Sequence, residues 1–502
     1  MSINAQEFAA LLPLMIPASA ACLLPIAALD GDQASEKWIR GAMFGIALLA
    51  LGASFYCLTQ LWSTGQQPSY GQLRMDRLAQ FAGIFVTVCG SLAVLQCWDH
   101  LHQEGFFKGE TLSLLLFSAT GMMLFASTTN LLVMFLGLEL LSIPLYALTA
   151  TVRERPEAVE GGMKYFITGA VAAACFLMGC ALLYGLTGSL DLNEIGAQAL
   201  AMASRSGGLD PLLLAGAALL LLGFLFKVSA APFHQWTPDA YEGAPHPIAA
   251  FMSVATKGVA ILALLRAFPI GLGQVPLLGA KLQSVLALLA GLTMVVGNLT
   301  ALSQSSVKRM LAYSSISHAG YLLLGFVAGT EQATSAMLFY LVVYLAMNMG
   351  AFGLLTALGL VGERTTYADL RGAGWKRPSL GIAAALCFLS LAGIPPTGGF
   401  YGKYMLFKEL IATGHIGLAI LGVLASLASV YYYLRVLVAL FLEKPSERQE
   451  REAAERPAVE APLAGATVLV CAVLVLAGGF LQGPLMEKFV QPAMESARAL
   501  LK

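Results

Sequence analysis

Charge is what this 502-residue chain has least of: Asp, Glu, Lys and Arg make up 12% of it, against about 25% in an ordinary soluble domain. A soluble fold with so few charges could not cover its own surface. The shortage also excludes disorder, which needs low hydrophobicity and high charge. Neither sign dominates, because 29 basic residues face 29 acidic ones, so no net field recruits nucleic acid or an acidic substrate. The eight cysteines (Cys22, Cys57, Cys89, Cys97, Cys175, Cys180, Cys387 and Cys471) form no C-x-x-C pair, and neither a zinc site nor an iron–sulfur cluster is encoded. Nor is a disulfide framework expected; each cysteine reads as a small buried hydrophobe. No Lys or Arg precedes the first apolar run, MSINAQEFAALLPLMIPASA, which therefore reads as a membrane span rather than a cleavable signal. What abounds is hydrophobicity, at 58% of residues. The chain is an integral membrane protein.

A bilayer core of about 30 Å needs roughly 20 helical residues. That ruler predicts about fourteen spans: 8–29, 40–61, 77–97, 110–128, 130–152, 158–187, 211–231, 245–269, 277–300, 305–328, 333–361, 380–411, 414–442 and 463–482. The runs are continuously apolar rather than alternating, which argues against a β-barrel. Loops after odd-numbered spans hold fifteen of the 29 Lys and Arg; loops after even-numbered spans, with the C-terminal tail, hold seven. By the positive-inside rule the odd loops face the cytoplasm and both termini lie on the opposite side. The one strongly hydrophilic segment, EKPSERQEREAAERPAVEA (443–461), reads as a solvated connector between the last two spans.

Seven basic residues remain, all inside predicted spans: Lys164, Lys227, Lys257, Arg266, Lys403, Lys408 and Arg435. A charge at mid-bilayer costs about 2.5–3.5 kcal/mol on insertion scales, so each is a functional candidate by default. Arg266, Lys408 and Arg435 lie near span ends and are expected to snorkel to a headgroup. Lys257, thirteenth in a run of about twenty-five residues, has roughly 18 Å of helix on either side and cannot. Glu139, in MFLGLELLSIPLYAL, and His318, in SSISHAGYLLLG, are equally central, and Ser314, Ser315 and Ser317 offer the histidine hydroxyls. Lys164 follows Glu160 by four residues, so a helical surface pair explains it as well as function does.

Two spans look broken, and each break is followed or preceded by a lysine. Span seven runs to Lys227 and then reads Ser229-Ala230-Ala231-Pro232. Span twelve reads LSLAGIPPTGGFYGKYMLF, with Pro395-Pro396 and Gly398-Gly399 ahead of Lys403. Proline removes a donor and clashes with the preceding turn. Backbone freed this way is tolerated at membrane depth only inside protein or beside water, and broken helices with polar residues mark ion paths in transporters. The breaks are five spans apart, so spans 4–8 (110–269) and 9–13 (277–442) read as two inverted five-helix repeats. A three-helix segment (1–109) precedes them; a charged cytoplasmic loop (443–462) and a last span with its tail (463–502) follow. The fold class is thus an all-α polytopic membrane protein.

At these residues the chain resembles a known family. GFLFKVSAAPFHQWTPDAYEGAP (223–245) resembles the signature of the antiporter-like subunits of proton-pumping NADH:quinone oxidoreductase, respiratory complex I. LGLELLSIPLYAL, KRMLAYSSISHAGY and GIPPTGGFYGKYMLF resemble further blocks of that family in the same order. The YEGAP ending (241–245), a lysine at 403 where subunit M has a glutamate, and the lack of subunit L's long lateral helix separate it from those two large paralogues. The resemblance implies fourteen helices with polar residues and water along their middle. It places the family's glutamate of helix five on Glu139, its lysines of helices seven, eight and twelve on Lys227, Lys257 and Lys403, and a helix-six lysine on Lys164. It further implies a bacterial inner membrane and other membrane-arm subunits as partners, especially subunit M and the small subunits K and J. Flavin, iron–sulfur clusters and quinone are expected on partners, with no cofactor on this chain.

The chemistry so implied is proton transfer without bond-making to carbon. A lysine of ordinary pKa about 10.4 holds its proton too tightly to pass it on, and desolvation and a nearby carboxylate act on that affinity in opposite senses. Glu139 approaching or leaving Lys227 then gates uptake, Lys257 and His318 carry the proton laterally, and Lys403 hands it on. Two alternatives stay open: a subunit of a multisubunit sodium/proton antiporter, which shares the helix-seven signature, and a passive scaffold that only joins neighbours.

Overall fold

The computed structural model describes residues 5–27, 36–103, 109–358, 365–445 and 461–499. Among them, thirteen helices are long and apolar enough to cross a membrane. In chain order the helices are α1 (Ala5–Ala27), α2 (Glu36–Thr64), α3 (Arg77–Gln103), α4 (Gly109–Ala126), α5 (Leu131–Thr149), α6 (Pro156–Thr187), α7 (Leu192–Ser206), α8 (Pro211–Val228) and α9 (Trp236–Gly243). Then follow α10 (His246–Pro269), α11 (Pro276–Leu302), α12 (Val307–Ala328), α13 (Glu331–Ala357), α14 (Pro378–Ala392), α15 (Gly398–Ala412), α16 (Ile416–Phe441), α17 (Pro462–Phe480) and α18 (Gln491–Ala499). The expected span twelve is α14 and α15 together, each fifteen residues and so too short to cross alone. A two-stranded hairpin, Ser69–Tyr70 with Leu73–Arg74, and the short α7 and α18 have no counterpart in the expected spans. Most of the charged 443–461 connector lies outside the described residues.

Burial sorts the helices into a centre and a rim. The most apolar stretch of α10 is wholly buried and those of α12 and α13 are 94% buried, whereas those of α2, α6 and α16 are 33% buried. Lipid tails are as apolar as leucine, so helices in a bilayer associate through close packing and small residues rather than hydrophobic exclusion. Two pairs depend on this. A Cβ on Gly121 of α4 would stand 2.4 Å from the backbone nitrogen of Leu141, and one on Gly137 of α5 2.7 Å from that of Phe125. The same device joins α11 to α12, where a Cβ on Gly297 would lie 2.6 Å from the Ser317 nitrogen and one on Gly320 2.9 Å from that of Met294. Side chains of Asn130 and Ser306 cap the starts of α5 and α12, satisfying amides that have no helical acceptor.

Both expected breaks are present. α8 ends on Ser229, a non-glycine residue in the left-handed region at φ 64°. The chain then turns through 230–235 into α9. The freed Ala231 amide donates to Thr293 Oγ1 of α11 at 2.9 Å, and Trp236 Nε1 donates to the Phe226 carbonyl at 3.2 Å. In the second break, α14 ends at Gly393 (φ 82°), and the Gly399 amide donates to Ser390 Oγ at 3.1 Å. Protein side chains thus re-satisfy the opened backbone at both places, as the absence of water from hydrocarbon demands.

One expectation fails here. Arg266 does not snorkel. It is fully buried and forks onto Asp76 at the start of α3, with Nη1 on Oδ2 at 2.8 Å and Nη2 on Oδ1 at 2.7 Å. Its position near a span end pointed to a headgroup, but the carboxylate that holds it lies 190 residues earlier in the chain. Arg435, half-buried, stacks 4.0 Å over the Tyr367 ring and donates to the Gln304 carbonyl at 3.2 Å.

Candidate functional site

Lys227 occupies the last turn of α8 and is buried. The negative end of a helix favours a cation there. Its ammonium donates to Tyr165 Oη of α6 at 3.1 Å and lies 5.1 and 5.7 Å from the Tyr165 and Tyr146 ring centres, where aromatic quadrupoles attract it. Glu139 of α5 and Ser142 share with it a cavity of about 10 Å³. That is about the least volume that takes a water. Among the described residues no ion pair joins Glu139 to Lys227.

From Tyr165 an aromatic line leads toward the second lysine. Tyr165 stacks on Trp236 of α9 at 4.1 Å and 6°, and Trp236 meets Tyr241 edge-on at 6.2 Å. The Lys257 ammonium lies 5.7 Å from the Tyr241 ring and donates to Ser315 Oγ at 2.6 Å. Lys257 directly follows a π-helical stretch of α10, Met252–Thr256; such bulges occur often at functional sites. The uniform apolar run gave no hint of it.

α12 carries the line onward. Ser315, His318 and Tyr321 follow one another at intervals of three, so they occupy successive turns and neighbour each other. Both ring nitrogens of His318 are engaged: Nδ1 with Tyr340 Oη of α13 at 2.6 Å and Nε2 with Tyr433 Oη of α16 at 3.0 Å. Tyr433 also shares a hydrogen bond with Ser314. Beside them, Asn348 of α13 donates to Ser253 Oγ at 2.7 Å and Tyr344 Oη at 2.9 Å.

Lys403 of α15 ends the series. It is buried, donates to the Leu391 carbonyl of α14 at 2.9 Å and to Ser426 Oγ of α16 at 3.0 Å, and lies 4.9 Å from the Tyr321 ring. Leu391 is in the last turn of α14, whose carbonyls have no helical donor. The two break lysines therefore have like settings, each at the C-terminal end of a helix cut short. Lys403 also lines a cavity of about 590 Å³ with Phe400, Tyr404, Phe407 and Leu427. Tyr404 and Leu427 are strongly exposed on its wall.

Lys164 stands apart from this series. Its side chain is 46% exposed and pairs with Glu160 at 2.6 Å and Asp239 of α9 at 2.7 Å. The helical surface pair expected from the sequence is there, joined by a second carboxylate. The structure thus brings Glu139 and Lys227 together, and links Lys257, His318 and Lys403 through α12. It leaves Lys164 at the edge.

Sequence reasoning missed the tyrosines. Tyr146, Tyr165, Tyr241, Tyr321, Tyr340 and Tyr433 carry no sequence signal of their own, yet their rings or hydroxyls contact every lysine of the series or its histidine. Several buried polar atoms along the line have no hydrogen-bond partner among the described residues: Ser229 Oγ, His234 Nδ1, Tyr241 Oη, Tyr321 Oη and Asn348 Oδ1. Buried polar groups usually have one, and these are groups that water can serve. No cluster of three or more His, Cys, Asp or Glu among the described residues is arranged to hold a metal ion.

The chain is similar to known proteins. The profile of a family described as NADH:quinone oxidoreductase/Mrp antiporter, TM, matches residues 128–429. A protein of Trichlorobacter lovleyi named NADH-quinone oxidoreductase subunit N is 44% identical over 82% of this chain and 83% of its own length. One of the same name from Salinibacter ruber is 41% identical over 85% of this chain and 83% of its own. Among solved structures, a chain of respiratory complex I from Thermus thermophilus superimposes with a TM-score of 0.77 at 36% identity, over 95% of this chain and 98% of that one. A chain of the Mrp complex from a Dietzia species superimposes with a TM-score of 0.84 at 20% identity, over 99% and 100%, a likeness of fold alone.

Proposed function

Since the chain belongs to the NADH:quinone oxidoreductase/Mrp antiporter membrane family, we propose that it is a proton-translocating membrane-arm subunit of NADH:quinone oxidoreductase. Its relatives' name and the complex I superposition favour this over the sodium/proton antiporter reading, for which the shared family description, helix-seven signature and fold speak. The carrying observation is the buried succession Lys227, Lys257, His318 and Lys403, each within hydrogen-bond reach of a hydroxyl. Burying three lysines without carboxylate partners is costly, and a purely structural helix bundle has no use for them.

In this reading Glu139 and Lys227 form the entry. The structure has them side by side but unpaired, and their approach or separation changes how firmly the lysine holds its proton. The proton then passes by way of Tyr165 and Tyr241 to Lys257 and Ser315. His318 has both ring nitrogens on tyrosine hydroxyls, one donating and one accepting. A shift of tautomer together with rotation of the two hydroxyls moves a proton across the ring. Lys403, held by a helix-end carbonyl and Ser426, releases it at the far end. α4–α10 and α11–α16 are the two inverted repeats of this arrangement, each contributing one broken helix with its lysine.

The chain takes no part in redox chemistry: flavin, iron–sulfur clusters and quinone belong to partner subunits, and the driving force arrives from them. The partners are other complex I membrane-arm subunits, including subunit M and the small K and J. The chain resides in the bacterial inner membrane with both termini periplasmic. A direct test is Lys227→Ala in the assembled complex. Loss of NADH-driven proton uptake with assembly intact supports the relay, whereas undiminished pumping would leave only the scaffold reading.

A further inference from the structure

α9 is the short helix that places Trp236 against Tyr165, beside Lys227, and Tyr241 beside Lys257, and it is held from two sides. On one side it lies backbone against backbone on the start of α6. A Cβ on Gly161 would come 2.4 Å from the Asp239 carbonyl oxygen, and one on Gly243 2.5 Å from that of Glu157. On the other side it meets the start of α12, where Ser306 Oγ donates to Glu242 at 3.1 Å and Lys308 donates to the Glu242 carbonyl at 3.1 Å. Asp239 spans both sides. One oxygen, Oδ2, takes Lys164 of α6 at 2.7 Å; the other, Oδ1, takes Arg309 of α12 at 2.8 Å. A single carboxylate thus ties the first half of the chain to the second, three residues from Trp236.

Trp236 in turn lies flat on Tyr165, the hydroxyl that accepts from Lys227. α8, which carries Lys227, is joined to α9 through the opened backbone at 229–235 and through Trp236, whose Nε1 donates to the Phe226 carbonyl at 3.2 Å.

We propose that Asp239, with Lys164 and Arg309, is a positioning residue for proton transfer at Lys227: the triad fixes α9, and through the Trp236–Tyr165 stack it fixes the hydroxyl that receives the Lys227 ammonium. This rests on the proton-relay reading above. It gives Lys164 a task as a clamp on the relay rather than a step in it. Lys164 keeps Glu160 when Asp239 is lost, but Arg309 loses the Asp239 carboxylate, so the ionic tie to α12 goes while the Ser306 and Lys308 bonds to Glu242 remain.

The test uses the whole complex in membrane vesicles, with NADH-driven proton uptake as readout and native-gel assembly as control. Asp239→Asn keeps the shape and removes the charge. It is expected to assemble and to pump several-fold more slowly, as is Tyr165→Phe. If Asp239 acts through Tyr165, the double variant pumps no worse than the slower single one, because coupled sites are not additive. Multiplying losses would mean that Asp239 serves only the fold, and parental pumping in Asp239→Asn would overturn the proposal outright. Should Asp239→Asn fail to assemble, Asp239→Glu decides. It keeps the charge and both carboxylate oxygens but adds a methylene, and slowed pumping in a fully assembled complex supports positioning, while parental pumping makes Asp239 an anchor. Failure of the relay reading itself would be visible separately, as normal pumping in Lys227→Ala.

Discussion

Asp76→Asn isolates the energetics of the buried pair that the Arg266 side chain forms. Asparagine keeps the volume and the Oδ1 acceptor that caps α3 through the Ala79 amide at 2.8 Å, but it removes the charge and turns the Oδ2 that accepts from Arg266 Nη1 into a donor. The guanidinium is fully buried, and its Nε already lacks a partner among the described residues. Breaking such a pair from one side costs about 3–5 kcal/mol, which is about two to three and a half powers of ten in the folding equilibrium. Replacing both partners by apolar groups of similar volume is often neutral, since no charge is left buried. Asp76→Asn should therefore lower the thermal stability of the solubilised complex markedly. Asp76→Leu combined with Arg266→Met should recover most of it. The readouts are thermal unfolding in detergent and the assembled fraction on a native gel. A cost below about 1 kcal/mol, the range of exposed pairs, would refute the buried-pair reasoning, as would a double variant no better than Asp76→Asn.

Three further outcomes follow from the site. Glu139→Gln and Lys227→Ala should each impair pumping in an assembled complex, and together lose less than the product of their separate effects; strict additivity in vesicle pumping would mean the two are uncoupled. Tyr433→Phe removes one of the two hydroxyls on His318, and should slow pumping by about two- to tenfold, the worth of one net hydrogen bond; an unchanged rate would take the Tyr433 side of the ring out of the path. For the orientation, a membrane-impermeant thiol reagent on the cytoplasmic side should label Glu452→Cys but not Lys502→Cys; labelling of the tail from that side would reverse the topology.

The candidate residues were partly legible because membrane depth makes single residues conspicuous. Lys257 and His318 stood out by distance from span ends, and Lys227 and Lys403 by the Ser-Ala-Ala-Pro and Pro-Pro-Thr-Gly-Gly interruptions. These are local signals, readable along one helix. What escaped depends on which helices meet. Asp76 and Arg266 sit 190 residues apart, and nothing in either neighbourhood announces the other. The tyrosines were hidden because the same residue type serves as core packing elsewhere, and only the position of Tyr340 and Tyr433 against both nitrogens of His318 distinguishes them. Lys164 sat between two readings until the fold brought Asp239, 75 residues on, within 2.7 Å. The π-helical turn before Lys257 leaves no mark in a continuous apolar run.

The relay claim meets its most direct test at Lys403, the last lysine of the path. Its ammonium makes two hydrogen bonds, to the Leu391 carbonyl and Ser426 Oγ, so a cation is accommodated there whatever its chemistry. Releasing a proton is a separate demand, which an ammonium can meet and a guanidinium cannot, because arginine is not deprotonated in proteins. The measurement is NADH-driven proton uptake in vesicles for Lys403→Ala and Lys403→Arg, with assembly checked on native gels. The relay predicts that both variants assemble and both lose pumping by about tenfold or more, a bond to a charged group being worth about 1.5–3 kcal/mol. Parental pumping in Lys403→Arg, with Lys403→Ala failing to assemble, would make this lysine a structural cation and contradict the account.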